Sequence, residues 1–493
     1  MLKKNYLKVL IGLLLVFLFS LVSAHAQNLD SLVNHSLQFA QQQLSNTVTE
    51  VGDTTRFPKS TGQDGRWQTK DSGTWTSGFF PGCLWYIYQW NNEQQWRNWA
   101  TSWTASMERE KNDTGTHDVG FKIFCSFGKG YPLTQSETYR EVIIKAAQSL
   151  ATRYNATVGC IRSWNNRTFP VIIDNMMNLE ILFWASKNGG QPEWYDMAVS
   201  HALKTMENHV REDGSTYQIV DYNPSTGEII RKETHQGYAT ESTWSRGQSW
   251  GVYGFTMTYR ETGDNRFLET AKKLADYVVE NLPEDHVPYW DYNAPNIPNE
   301  EKDVSAAAIA ASGLLELSTL VDSLELTVKY RNAAFDILTS LSSNAYLAEG
   351  NNSSGILLHG VGNHNSNSEV DVSLIYADYY FIEALLRYQN ITTAVSIAEN
   401  QKVILPNSIQ LLQSYPNPFN PVTTISYKLS SSEVISLQVY DITGRLVKTL
   451  NQGLQQAGEH QVLFEGVGIT SGTYLVVLQV GNERKSIKMT LIR

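Results

Sequence analysis

Cysteine and grouped metal ligands are scarce in this sequence. Its 493 residues include three cysteines, Cys83, Cys125 and Cys160. So few cysteines, odd in number, exclude a disulfide framework, and stability must come from a large core. Neither Cys-x-x-Cys nor His-Glu-x-x-His occurs, and His and Cys are not grouped at metal-ligand spacing. We therefore expect no metal site.

Basic residues are also fewer than acidic ones. Lys and Arg total 39 against 49 Asp and Glu, a formal net charge of -10. This balance argues against nucleic-acid binding, which needs basic stripes. It leaves room for an anionic small substrate, because a single pocket Arg can bind one. The 13 Trp and 25 Tyr either stack on sugar faces or fill the core.

The N-terminus has the pattern of a secretory signal. Lys3, Lys4 and Lys8 precede the apolar run VLIGLLLVFLFSLV, and Ala24-His25-Ala26 offers small residues at the cleavage positions. The run is short for a membrane span, so we expect residues 1–26 to be removed and the exported chain to lack a transmembrane segment.

Helical periodicity dominates from about Asn28 to Gln389, within a predicted catalytic domain of residues 27–395. Apolar residues recur at three- and four-residue spacing, and Gly-rich aromatic loops separate the segments. Such a series predicts helical hairpins closed into a toroid, with loop residues gathered at one end. The clearest segments are SETYREVIIKAAQSLATRY, EWYDMAVSHALKTMENHV, RFLETAKKLADYVVENL, VSAAAIAASGLLELSTLV, LTVKYRNAAFDILTSLSS and VSLIYADYYFIEALLRYQ.

The pattern changes near residue 401. A linker over residues 396–410 leads into a segment rich in Pro and Asn, and then into short alternating runs such as TTISYKL, ISLQVYDI and GTYLVVLQV. Turn signals at Thr443-Gly444-Arg445 and Ser471-Gly472-Thr473 separate these runs. Residues 411–493 are predicted to form a small antiparallel β-sandwich of immunoglobulin-like type.

Asp174 is the most informative single residue. It lies in the run FPVIIDNMMNLEILFWAS, where burial would raise its pKa toward the value that a general acid needs near neutral pH. Asn175 and Asn178 are expected to share its helix face. The alternative is a helix cap, but Met177 stands where a capping box needs Glu or Gln.

Three further segments concentrate unusual residues, each with a structural alternative. TWTSGFFPG holds Trp75, which could equally be a core aromatic. THDVGFKIFCSFG holds His117, Asp118 and Phe121, and an Asp here could be an N-cap.

The last of these segments is THQGYATESTWSRGQSWGVYGF, which holds Thr234 and Gln236. In it, Arg246 and Trp250 are four residues apart, so they would share a helix face as a carboxylate fork beside a stacking plane. A salt-bridged Arg at a helix start is the alternative.

Taken in order, THDVGFKIFCSFG, DNMMNLEILFWAS, RGQSWGVYGF, YWDYNAP and VSAAAIAASGLLEL resemble glycoside hydrolase family 88, the unsaturated glucuronyl hydrolases. The resemblance extends to about residue 395. It implies an all-α (α/α)6 barrel that acts on the 4,5-unsaturated uronic acid left at a non-reducing end by a polysaccharide lyase.

The resemblance also implies roles for individual residues. Asp174 matches the family's acid/base and Asp118 its second essential Asp. Gln218 stands where the family has a binding His, and Ser366 and Ser368 lie in the segment GNHNSNSEVD, which corresponds to a loop that reads the next sugar. No Lys lies there to favour sulfate. Substrate-binding roles extend to Thr234, Gln236, Arg246, Trp250, His117, Trp75 and Phe121.

The implied reaction is hydration of an enol ether. Protonation of C4 produces a cationic centre at C5, water adds there, and the hemiketal opens to release the neighbouring sugar. No metal or organic cofactor is required. Two alternatives stay open: an unsaturated rhamnogalacturonyl hydrolase of family 105, and a non-catalytic surface glycan-binding protein on the same barrel.

The C-terminal segment, with YPNPFNP, DITGR and GTYLVVLQV, resembles the type A sorting domain of the type IX secretion system. This implies an encounter with that machinery and a secreted or cell-surface location. A carbohydrate-binding module is the alternative, although few Trp or Tyr are present to form its binding platform.

Overall fold

A computed structural model describes residues 29–404, 409–429, 433–456, 458–480 and 483–492. The predicted signal peptide, residues 1–26, lies outside the described residues. The chain divides into two compact units, with the boundary between Thr392 and Thr393. The helix Ile375–Ile404 continues into the predicted linker 396–410.

The first unit is a toroid of six helical hairpins, counted over its described residues. An outer helix precedes each inner one. The outer helices are α1 (29–51), α3 (Gln94–Ser106), α5 (Glu137–Ala151), α7 (Glu193–His209), α9 (Asn265–Glu280) and α11 (Leu324–Leu341). The inner helices are α2 (Phe79–Asn91), a π-helix (Gly120–Gly128) running into α4 (Lys129–Thr134), a 3-10 segment (Ile173–Leu179) running into α6 (Glu180–Lys187), α8 (Ser245–Thr262), α10 (Val304–Ser318) and α12 (Ile375–Ile404).

The extent of burial separates the inner helices from the outer ones. Ser245 to Thr258 of α8 and nearly all of α10 are buried, whereas outer helices such as α9 bury one face only. Small residues let the inner helices approach closely: a Cβ added at Gly254 would lie 2.5 Å from Met176 Cβ. Both α8 and α10 are thus buried on nearly every face, as helices at the centre of a barrel must be, and α8 includes polar residues such as Arg246 and Gln248.

Several helices begin at a side-chain cap. The caps Ser136, Asp264, Asp303 and Ser323 each accept a hydrogen bond from a backbone N–H in the first turn. The ring closes where α12 meets α1, through the hydrogen bond from Tyr388 to Asp30.

Short antiparallel strands occupy the connections before the inner helices. They are β1 (Phe57–Thr61) with β2 (Trp67–Lys70), β3 (Tyr154–Asn155) with β4 (Cys160–Ile161), β5 (Pro170–Ile172) with β6 (Ile219–Tyr222) and β7 (Ile229–Glu233), and β8 (Gly360–Asn363) with β9 (Ser368–Val372). The sequence predicted only loops here, because runs of two to five residues are too short for alternation to be recognised.

The second unit is all-β in its described residues. One sheet has the order β10 (Ile409–Leu411), β11 (Val422–Leu429), β14 (Gly458–Glu465). The other has the order β13 (Leu446–Gln455), β12 (Glu433–Asp441), β15 (Gly472–Val480), β16 (Glu483–Leu491). Side chains of both sheets, including Ile425 and Val476, share one apolar core.

The predicted class, an all-α barrel followed by an all-β region, is confirmed. The immunoglobulin-like assignment of the β region stays a prediction. Among the described residues, no helix combines the length and apolar character that a membrane span needs.

Candidate active site

The first turns of the six inner helices meet at one end of the barrel. They bring together Phe79 of α2, Phe121 of the π-helix, the Asp174 segment, Arg246 of α8, Ser305 of α10 and Tyr376 of α12. Helix N-termini carry partial positive charge, so this end of the barrel favours an anionic ligand.

Asp174 lies in the first turn of the 3-10 segment Ile173–Leu179. Its Oδ1 is buried and makes no hydrogen bond within the described part of the chain. Burial raises the pKa of Asp174 to about 7; nearby Asp118 adds to this rise, while Arg246 and the Trp250 indole N–H oppose it. A carboxyl group in this environment is protonated for part of the time at neutral pH, as a general acid must be.

The two asparagines predicted to share a face with Asp174 instead hold the surrounding backbone. Asn175 accepts a hydrogen bond from Ser163 Oγ at 3.0 Å and donates to Ile161 O. Asn178 Oδ1 accepts from the backbone N–H of Phe121 at 2.8 Å. Asp174 itself does not cap the segment, since the cap position is Ile172.

Asp118 is held by its neighbours in the loop before the π-helix. Thr116 Oγ1 donates to Asp118 Oδ2 at 3.1 Å, and His117 Nε2 lies 3.2 Å from Oδ1. His117 is buried, its Nδ1 lies 3.0 Å from Ser163 O, and burial lowers its pKa. Both ring nitrogens therefore face oxygens, which fixes the ring and the carboxylate beside it.

Aromatic rings form one wall of the site. Trp75 is half-buried and lies 5.6 Å from Phe121 and 4.9 Å from Tyr376, measured between ring centroids. Phe121 contacts Trp250 at 5.2 Å. The indole N–H of Trp250 is buried and faces the Asp174 carboxyl group, whose pKa it lowers.

Arg246 is buried and bonded to protein groups. It pairs with Asp303 at 2.8 Å, donates to the carbonyl oxygens of Val361 and Gly362, and lies over the Trp244 ring. The structure thus contains the salt bridge that was the alternative to a substrate-binding role for Arg246. The charge of Arg246 also reaches Asp174, whose pKa it lowers.

Gln218 organises the loop that carries Thr234 and Gln236. Gln218 Oε1 accepts from Thr234 Oγ1 and from the backbone N–H groups of His235 and Gln236, and its amide donates to Gln236 Oε1 at 2.8 Å. Gln236 in turn donates to Gly362 O. Within this loop, Gln218 acts as a scaffold.

In the exposed β8–β9 hairpin, Ser366 lies in the turn between the strands and Ser368 is the first residue of β9. Asn365 of this hairpin donates to His235 O and Gly237 O, which connects the hairpin to the loop that carries Thr234 and Gln236. Ser366 hydrogen-bonds to Asn363 of the same hairpin.

Three residues in contact with the site had no signal in the sequence. Tyr376 contacts both Trp75 and Arg246, Ser163 joins His117 to Asn175, and Asp303 is the counter-ion of Arg246. Tyr376 and Asp303 lie far in sequence from the residues they contact, and an isolated Tyr, Ser or Asp has no spacing pattern to reveal it.

One group in the described residues could hold a cation. Ligand atoms of Glu300, Glu301 and His364 lie within 4.8 Å of one another. These side chains already have partners: His364 Nε2 is 3.0 Å from Glu301, and Glu300 accepts from the Trp290 indole.

The inner helices of this barrel gather two carboxyl groups, an Arg and an aromatic wall at one end, which is the make-up of an enzyme active site. Residues 45–287 match the model of Glycosyl Hydrolase Family 88. This chain belongs to glycoside hydrolase family 88 and is a glycosidase, as the sequence resemblance predicted.

Relatives support this assignment over most of their length. The unsaturated glucuronyl hydrolase of Formosa agariphila is 44% identical over 328 residues, 65% of this chain and 81% of the relative. The unsaturated chondroitin disaccharide hydrolase of Streptococcus pneumoniae is 33% identical, over 67% of this chain and 86% of the relative. The crystal structure of an unsaturated glucuronyl hydrolase specific for heparin superposes with a TM-score of 0.71 at 41% identity, over 74% of this chain and 98% of that one.

The second unit has its own match. Residues 413–493 fit the secretion system C-terminal sorting domain. The protein is therefore directed to a secretion system and is secreted or held at the cell surface.

Proposed function

We propose that this protein is an unsaturated glucuronyl hydrolase that removes the 4,5-unsaturated uronic acid from the non-reducing end of lyase-generated oligosaccharides. The observation that carries the proposal is Asp174, a buried carboxyl group whose pKa is about 7, next to Asp118 in a family 88 barrel. A hydration reaction needs one group that is protonated at rest and basic afterwards, and Asp174 fits both states.

In the proposed reaction, the Asp174 proton adds to C4, and the C4=C5 π electrons form the new C–H bond. The positive charge at C5 is shared with the ring oxygen. Water then attacks C5 and gives a proton to the Asp174 carboxylate, which restores the acid. The hemiketal opens and releases the adjacent sugar as its hydroxyl form.

The remaining residues position the substrate. Asp118, fixed by Thr116 and His117, accepts hydrogen bonds from sugar hydroxyls. Trp75 offers its half-exposed face to the ring, and the helix N-termini favour the substrate carboxylate. Because one acid acts alone in the proton transfer, the separation of the two carboxyl groups does not select an inverting or retaining outcome as it does in ordinary glycosidases.

The test is loss of ultraviolet absorbance from the conjugated double bond, using disaccharides released by chondroitin, heparin, pectin and ulvan lyases. Wild type is expected to consume at least one of them, and Asp174→Asn is expected to lose activity at least a thousandfold. Asp378→Asn is the matched control, since burial also raises the pKa of Asp378 to about 7 but its carboxylate accepts from the backbone of Ile356 and Leu357.

The outcomes separate the competing functions. Turnover of galacturonyl-rhamnose alone would indicate the activity of family 105, and binding without absorbance loss would indicate a glycan-binding protein. Activity in folded Asp174→Asn equal to that of wild type would contradict the mechanism.

We also infer the export route. Residues 1–26 are proposed to direct the chain across the inner membrane, and the C-terminal domain to pass it to the type IX secretion machinery. Deleting residues 413–493 should leave the enzyme inside the cell envelope, which fractionation and immunoblotting would detect.

A further inference from the structure

A cavity of about 510 Å³ opens beside Asp118, and none of the predicted site residues lines it. Its walls come from three loops. The lining residues are Gly115, Thr116, Ser163, Trp164, Asn165, Asn166, Arg167 and His235.

Two lining residues connect the cavity to the candidate active site. Thr116 donates to the Asp118 carboxylate at 3.1 Å, and Ser163 O is 3.0 Å from the His117 ring. A sugar joined to one held at Asp118 would therefore enter this cavity. Trp164, whose ring centroid lies 5.7 Å from that of His235, supplies an aromatic surface there.

Arg167 brings positive charge to the cavity wall. Its side chain is 22% exposed, lies over the Trp164 ring and pairs with Glu233. Glu233 also pairs with Arg231 at 3.1 Å, so one carboxylate serves two guanidinium groups. Burial lowers the pKa of His235, which lines the same cavity, and the positive charge of Arg167 lowers it further.

Two more arginines contact the loop of residues 163–167, which forms part of the cavity wall. Arg153 donates to Ser163 O and Asn165 Oδ1, and Arg162 donates to Arg167 O. Among the ion pairs of the described residues, neither has a carboxylate partner. Of these three arginines, only Arg167 has an ion-pair partner in the described part of the chain, namely Glu233. Asp113 and Asp118 act on Arg153 through space, and the guanidinium groups of this wall outnumber its ion-paired carboxylates, so the wall favours an anionic group.

The exposed hairpin of Ser366 and Ser368 carries negative charge, unlike the cavity wall. Its acids are Glu369 and Asp371, and the nearby Lys59 is already paired with Glu369 at 2.7 Å. An anionic substituent is therefore better placed in the cavity than on this hairpin.

We propose that the cavity holds the leaving sugar and that Arg167 selects leaving sugars with an anionic substituent, a sulfate ester or a carboxylate. The inference rests on the proposed hydrolase function and names the part of the substrate which that function leaves open. Arg167 is suited to this role because its planar guanidinium can offer two parallel donors to such a group.

The experiment compares kcat/KM for disaccharide pairs that share a linkage and differ only in a sulfate on the leaving sugar. Wild type should prefer the sulfated member. Arg167→Gln should lower kcat/KM for that member about ten- to hundredfold, the range expected for loss of a charge-assisted hydrogen bond, and change the neutral member less than threefold. An oligosaccharide with a uronic acid at the leaving position distinguishes carboxylate from sulfate.

Arg231→Gln is the matched control. It removes a guanidinium group paired with the same Glu233, and with Asp221 at 3.2 Å, but Arg231 lies outside the cavity lining, so both kcat/KM values should stay within threefold of wild type. Arg167→Lys should keep part of the preference. Circular dichroism would establish that each variant is folded.

Equal losses on both members for folded Arg167→Gln, or no loss on either, would overturn the inference. If no disaccharide is turned over, the proposed function fails, and calorimetric binding of the same pairs to Arg167→Gln and wild type still decides the role of Arg167. Weaker binding of the sulfated member alone would support it, and equal binding would refute it.

Discussion

At the scale of single residues, the chemistry depends on how poorly Asp174 is solvated. Ile173, Met176 and Met177 are buried around it, and its Oδ1 is without a hydrogen-bond donor among the described residues. Arg246 lowers the pKa of Asp174, but it is also paired with Asp303 and only partly offsets the effect of burial. The site therefore keeps a carboxyl group whose pKa is about 7 in place of the ordinary 3.8.

The pH–rate profile should report this group. Since the proposed acid must be protonated, kcat/KM is expected to fall above an apparent pKa near 7, roughly tenfold for each further pH unit. Steady-state rates between pH 5 and 9 on one unsaturated disaccharide would measure it. A rate that is flat from pH 6 to 9 would show that another group supplies the proton.

Protein stability should respond to the same pKa shift. The raised pKa means that the unfolded chain ionises first, so stability is lost as the pH rises from about 4 to about 7. Asp174→Asn removes this cost, so it should raise the unfolding free energy at pH 8 by about 2–4 kcal/mol and change it little at pH 4. Urea unfolding at both pH values tests this, and a variant less stable than wild type at pH 8 would contradict it.

At the scale of elements, the inner helices begin irregularly where the site lies. Asp118 precedes a π-helix and Asp174 lies in a 3-10 segment, and both irregular forms are common at functional positions. Asn178 joins the two segments through the N–H of Phe121. Gly120 makes the approach possible, because a Cβ there would lie 2.7 Å from Asn178 Cα.

Gly120→Ala should therefore separate the two segments. We expect a loss of about 1–3 kcal/mol in unfolding free energy from overpacking, together with a larger than tenfold drop in kcat as Asp118 and Asp174 move apart. Gly73→Ala is the control, since its Cβ would meet only the flexible Asp71 carboxylate, at 3.1 Å. Wild-type kcat in Gly120→Ala would show that this contact does not set the spacing.

At the scale of the whole molecule, a polar network joins the six inner helices beyond the site. Glu383 of α12 accepts from Tyr86 of α2, Ser312 of α10, Tyr253 of α8 and Lys129 of α4. Arg387 of α12 pairs with Glu383 and also with Glu316. Arg260 connects Glu316 to Glu180 of α6. Burial acts to raise the pKa of Glu383, but Arg387 and Lys129 bring it down to about 2.

Arg387→Leu should cost about 3–5 kcal/mol of unfolding free energy, because it leaves buried Glu383 and Glu316 undercompensated. Arg387 is eleven residues beyond Tyr376, about 16 Å along α12, so kcat below the melting temperature should stay near the wild-type value. Thermal unfolding with parallel rate measurements tests both statements. Lys129→Met, at the edge of the network, should cost less.

The two units should also separate functionally. Every residue of the candidate site precedes Thr392, so removing residues 409–493 is expected to leave kcat/KM within twofold of wild type. Kinetics on the truncated enzyme would measure this. A loss greater than tenfold in a folded product would show that the β unit contributes to catalysis.

Most of the fold could be predicted from local pattern. The periodicity of segments such as α5 and α9 predicted helices, and the alternation in β12 and β15 predicted strands, because burial of one face leaves a period in the sequence. The short strands β1 to β9 were not predicted. They are held by pairing between chain segments, which leaves no such period.

The sequence by itself determined which groups and domains are present: an acid in an apolar run, a second Asp, an aromatic-rich barrel and a sorting domain. Only the tertiary structure decided how these groups act. It showed Arg246 committed to Asp303, Gln218 used as a loop scaffold, and a cavity at Arg167 that no motif had marked. The physical reason is that a pKa, an ion pair and a cavity depend on distances between residues far apart in sequence, whereas a helix depends on its neighbours along the chain.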